Sequence, residues 1–117
     1  MVSITAFREL ALSFPETSEE PHFEKTCFRV KKKIFATYHG VHKIACIKLS
    51  EIDQDVFSSA SPSFIFPVDN KWGKQGWTNI LLDKVNEDLF LDALTTAYCN
   101  VAPKKLANQI RPNDGFF

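Results

Sequence analysis

The sequence predicts an α+β fold: a two-layer sandwich with an antiparallel sheet of about five strands and helices on one face, in the order αβββαββα. Three observations lead there. Apolar residues recur at helical spacing near the two ends, around residues 3–14 and 86–101. Between them lie runs of β-branched and aromatic residues, punctuated by turn-forming segments. The chain has 117 residues, 44% of them apolar. A domain of that length buries roughly two thirds of its unfolded surface, enough for one core.

Each element has a local reason. Ser3 precedes the stripe Ile4, Phe7, Leu10, Ala11 and Phe14, and Pro15 ends that helix because the residue before a proline is pushed out of the helical region. Residues 15–26 carry two prolines and four glutamates and read as an exposed loop with Phe23 as its anchor. Cys27–Val30, Ile34–His39 and Ile44–Leu49 form an antiparallel meander, turning at Lys31–Lys33 and again at Gly40–Lys43. Ser50 and Asp53 give the start signal of a short helix that ends before Pro62. Phe64–Val68 is a fourth strand, placed at an edge because Pro67 cannot donate to a ladder. Asp69–Gly76 is a loop, and Trp77–Leu82 is the fifth strand.

Asn86 caps the last long helix, with Glu87 and Asp88 in its first turn at the positive end of the helix dipole. Leu89, Ala93, Leu94, Ala97 and Val101 are expected to pack on the sheet. Pro103–Leu106 starts one more short turn. The whole chain, 1–117, is expected to be a single domain with its core over about 3–107 and a mobile tail at 108–117.

Fourteen basic and fourteen acidic side chains cancel. No apolar run approaches the roughly 18 residues of a membrane span, and no charged start with an apolar stretch marks a secretory leader. A cytoplasmic monomer is therefore expected, with no membrane partner. Three cysteines, Cys27, Cys46 and Cys99, form no C-x-x-C pair and no even disulfide set, and read as inert buried thiols. His39 and His42 flank a glycine turn, and two imidazoles do not make a zinc site. Phosphate-loop, dinucleotide, nucleophile-elbow and zinc-protease signatures are absent from the sequence, so no catalytic residue, metal or cofactor is expected. The glutamates at 16, 19, 20 and 24 read as a solvated face.

Two segments carry chemistry. Residues 25–50 hold Lys25, Arg29, Lys31, Lys32, Lys33, Lys43 and Lys48 without a carboxylate, whereas residues 9–24 hold five glutamates and no Lys or Arg. Lysines on a hairpin neutralise phosphates; they also shield sheet edges and keep a protein soluble. In Trp72-Gly73-Lys74-Gln75-Gly76-Trp77 two indoles bracket a basic loop with two glycines, and Lys71 precedes it. That combination suits stacking on a base beside an anion, and equally a strand start with its ring in the core.

Taken in order, Phe14-Pro15-Glu16-Thr17-Ser18-Glu19-Glu20-Pro21, Phe28-Arg29-Val30 with Lys33-Ile34-Phe35-Ala36, the Trp72–Thr78 segment with Leu82, and Ala102-Pro103-Lys104-Lys105-Leu106 resemble the MmcQ/YjbR family of small bacterial proteins. The resemblance spans about residues 3–107. It implies a CyaY-like (frataxin-like) fold and the family's usual label, DNA binding through a double wing. In many members an Asn-Lys-x-His-Trp pattern precedes the fifth strand; here Gly76 stands at the histidine position.

Two functions follow as expectations. The first is a non-catalytic, sequence-independent DNA-binding module that uses Lys31, Lys32, Lys33 and Lys43 on the hairpins with Lys71, Trp72, Lys74, Gln75 and Trp77 in the tryptophan loop. The second is a protein-interaction or small-ligand adaptor that uses the same exposed aromatic loop.

Overall fold

The computed structural model, which describes residues 1–22 and 24–111, opens with α1 (Ile4–Ser13), whose Ser3 Oγ accepts the Ala6 N–H at 3.1 Å. Four strands follow: β1 (Thr17–His22), β2 (Lys25–Val30), β3 (Lys33–His39) and β4 (Ile44–Lys48). Next come α2 (Glu51–Ala60), β5 (Ile65–Pro67), the single-turn α3 (Lys71–Lys74), β6 (Trp77–Leu81), α4 (Glu87–Val101) and α5 (Lys104–Ile110). Ser50 Oγ accepts from the Asp53 N–H at 3.1 Å and Asn86 Oδ1 from the Leu89 N–H at 2.8 Å. Both predicted caps therefore satisfy backbone donors that a helix start leaves unpaired.

All six strands pair antiparallel in the order β1-β2-β3-β4-β6-β5. Pro67 lies on β5, an edge strand, as its missing donor requires. Register places Phe28 opposite Ala36 and Ala36 opposite Ile47, so one face of the sheet is continuously apolar. Helices α1 and α4 cover that face. Phe7, fully buried, stacks on Phe28 with ring centroids 5.1 Å apart and meets Phe90 edge-on, also at 5.1 Å. Phe14 stacks on Tyr98 at 4.7 Å, and the Tyr98 hydroxyl donates to the Pro15 carbonyl at 2.7 Å. Ala93, Leu94 and Ala97 are fully buried, while Leu89 and Val101 flank the core half-buried. Among the described residues no helix is long and apolar enough to cross a membrane.

The structure departs from the sequence expectation at three places. Residues 17–22 are not a loop but β1, a sixth strand whose register runs from Thr17 opposite Val30 to His22 opposite Lys25. Its side chains carry no apolar alternation; pairing comes from the ladder and from Glu19 and Glu20, which reach Arg8 and Arg29. Phe23, the expected anchor, lies outside the described residues. The Asp69–Gly76 loop winds into α3, giving the order αββββαβαβαα. Helix α5 extends to Ile110, past the expected start of the tail, and residues 112–117 lie outside the described residues.

Candidate functional site

The second face of the sheet is built from the alternate residues of the same strands. Cys27 stands opposite Thr37, Thr37 opposite Cys46, and Cys46 opposite Asn79, a row that crosses β2, β3, β4 and β6. Lys25, His39 and Ile44 form a parallel row toward one end, and Lys48 and Trp77 face each other at the other. All of these side chains except Lys48 line a groove of about 540 Å³. Trp72 and Trp77 wall it on one side, and His39 and His42, rings stacked 4.7 Å apart, on the other.

The tryptophan loop is held from several directions. Asn70 Oδ1 accepts the Trp72 N–H at 2.8 Å and starts α3. Gln54, from α2, points its Nε2 at the carbonyls of Gly73 (2.9 Å) and Trp77 (3.1 Å) and at Thr78 Oγ1 (3.1 Å). The Lys48 ammonium donates to the Gln75 carbonyl. Gly73 is obligatory, since a Cβ there would sit 1.8 Å from the Val68 carbonyl oxygen. Trp72 remains half exposed, with the Lys71 ammonium 5.6 Å from its ring centroid, in cation–π range. Gln54 was not singled out in the sequence. Its signal is its position three residues before the buried Phe57, on the same stripe of α2.

The predicted lysines separate on folding. Lys31 and Lys32 form the two-residue turn between β2 and β3, both with positive φ (49° and 71°), the hand that suits a tight hairpin. This turn and the tryptophan loop lie at the same end of the sheet, because Lys48 at the end of β4 faces Trp77 at the start of β6. Lys43 is at the opposite end, 3.9 Å from Asp83. The charge segregation seen along the sequence is partly cancelled in space. Glu16 takes Lys31 at 2.6 Å, Glu20 takes Arg29 at 2.9 Å, and Glu19 forms a two-pronged pair with Arg8. The Arg8 hydrogen bonds hold the Glu19 carboxyl below its ordinary pKa. Among the described residues Lys32, Lys33, Lys71 and Lys74 make no ion pair and are exposed.

Burial raises the pKa of all three thiols, that of Cys46 to about 11. Cys46 is therefore protonated at neutral pH, and at pH 8 only about 0.1% of it is the reactive thiolate. Alkylation of native Cys46 by iodoacetamide is expected to be at least tenfold slower than in the denatured chain at pH 8, to rise about tenfold per pH unit, and to level off only above about 11. Equal native and denatured rates would show that the groove floor opens freely. Among the described residues no three His, Cys, Asp or Glu side chains stand together to hold a metal.

The model of the family described as YjbR matches residues 12–100, which include the whole sheet and nearly all of α4. The chain belongs to the YjbR family. A solved structure from Deinococcus radiodurans, a protein with a DUF419 domain, superposes on this YjbR chain with a TM-score of 0.78 at 20% identity, covering 97% of this chain and 91% of that one. At that identity the likeness establishes the fold, an α+β sandwich of the DUF419/YjbR type. No curated protein matches the sequence.

Proposed function

We propose that this YjbR protein is a non-catalytic nucleic-acid-binding module whose contact surface is the end of the sheet where the β2–β3 turn and the tryptophan loop converge. The observation that supports this reading is their shared position. The turn and β6 are two to three strand spacings apart, roughly 10–14 Å at ~4.8 Å per strand. Lys32 and Lys33 on one side and Lys71 and Lys74 on the other give four cations without an ion-pair partner among the described residues, and Trp72, on α3 with Lys71 and Lys74, supplies an exposed ring. Phosphate contacts of this kind position a nucleic acid without reading its sequence. Because Glu16 and Glu20 already neutralise Lys31 and Arg29 of the hairpin, a single strand that stacks on Trp72 is favoured over a duplex gripped by charge alone.

The test is a titration of oligo(dT) and of a mixed-sequence duplex at roughly 50 and 200 mM salt. Replacing Lys33, Lys71 and Lys74 by Gln is expected to flatten the salt dependence by up to ~0.7 per lost contact on single strands. Lys31→Gln is expected to change little, since Glu16 already holds that ammonium. Trp72→Ala is expected to cost about 1–3 kcal/mol on the single strand, the worth of one stacked base. Absence of binding at the lower salt would overturn the reading. Salt-independent capture of an uncharged partner through Trp72 would favour the adaptor instead.

A further inference from the structure

We propose that the groove on the open face of the sheet is a binding site for a small planar aromatic carboxylate, a ligand class separate from the nucleic acid read at the sheet end. Its volume of about 540 Å³ suits one ring system with a short substituent, within the roughly 300–1,000 Å³ of small-molecule pockets. Its two sides differ in chemistry. Trp72 and Trp77 offer flat apolar walls against which an aromatic ring packs. Across the row of Cys27, Thr37, Cys46 and Asn79 lie His39 and His42 with Lys25, which pairs with His39 in the β2–β3 register.

Charge selects the sign of the ligand. The groove is lined by one ammonium and two imidazoles and, among the described residues, by no carboxylate. An anion is therefore favoured there and a cation is not. The exposed Lys25 ammonium, beside His39 at that end of the groove, meets a ligand carboxylate, while the Thr37 hydroxyl and Asn79 amide meet polar groups on the ring edge. The imidazole planes lie nearly parallel, 25° apart, so their nitrogens do not converge on one point as metal ligands would. Both cysteines on the floor are neutral thiols and act as apolar contacts, with no covalent step.

The experiment titrates the isotopically labelled full chain with indole-3-acetate, indole and tryptamine, which share a ring and differ in charge, and follows backbone amide shifts at neutral pH. Expected are saturable shifts at Thr37, Cys46 and Asn79, with indole-3-acetate bound at least about tenfold tighter than tryptamine. The double variant Lys25→Gln/His42→Gln changes two exposed side chains and is expected to erase the preference for indole-3-acetate over indole while leaving the fold intact. Trp77→Leu is expected to weaken all three ligands. Lys32→Gln/Lys33→Gln, outside the groove lining, is expected to leave indole-3-acetate binding unchanged, which separates this site from the nucleic-acid surface. Absence of saturable shifts, shifts confined to residues outside the groove, or equal affinity for tryptamine or indole would each overturn the proposal.

Discussion

Gly76→Ala is expected to destabilise the protein by about 3 kcal/mol or more. Gly76 has φ of +104°, a region L side chains rarely adopt, and a Cβ there would lie 1.8 Å from the Leu49 carbonyl oxygen and 2.9 Å from its carbon. The obstacle is backbone, and it cannot swing aside, because the Leu49 N–H donates to the Gly76 carbonyl at 3.0 Å in the same contact. Positive-φ strain of ~1–3 kcal/mol and overpacking of ~1–3 kcal/mol therefore act together. Urea denaturation measures the loss, with Gly40→Ala as control: a Cβ at Gly40 meets only the edge of the Tyr38 ring, at 3.3 Å. A Gly76→Ala midpoint close to wild type would show that the β4–β6 joint yields. The same geometry bars any side chain here, a histidine included. An imidazole at this position would require the loop to pass Leu49 by another path.

Phe7→Ala is expected to cost about 3–5 kcal/mol, the range for emptying a buried aromatic site. Phe7 is inaccessible to solvent and touches three rings, Phe28, Phe90 and Tyr38, the last edge-on at 5.8 Å. Those partners belong to β2, α4 and β3, so neighbouring side chains cannot collapse into the space without moving a strand or a helix. Chemical denaturation with an unchanged m-value is the measurement. Leu12→Ala on the same helix, where the leucine is 40% exposed, is expected to cost far less. Similar losses at the two positions would mean that α1 is not the lid of the core.

Much of the fold was legible because the signals were local. Ser3, Ser50 and Asn86 cap the helices they precede, Pro15 stops α1, and Pro67 marks an edge. Strand β1 was hidden because Thr-Ser-Glu-Glu-Pro-His has no apolar alternation to read, and the partners that fix it, Arg8 and Arg29, lie 11 and 9 residues away from Glu19 and Glu20. A single turn such as α3 is too short to show a helical period. The tryptophan loop could be picked out from composition, whereas the groove could not. Its floor draws one residue from each of four strands, and only the register brings Cys27, Thr37, Cys46 and Asn79 into line. The pairing of Lys31 was hidden for a related reason: Glu16 is 15 residues from it in sequence and 2.6 Å from it in space.

The sheet order also sets a sequence of events in time. Strands β1 to β4 are successive neighbours, each able to zip to the last across a short turn, while β5 and β6 close on each other around α3. Each half needs only contacts between nearby residues, the kind that form within microseconds. The meeting of the halves, when β6 docks on β4, is expected to be the slow event. Gly76 and Leu49 sit at that seam. Substitutions at the seam should therefore slow folding, whereas loss of the Arg8–Glu19 pair at the outer strand should mainly speed unfolding, a division that stopped-flow chevrons resolve directly. If the outer-strand variant slowed folding instead, the first hairpin would be part of the nucleus and the protein would assemble from that side inward.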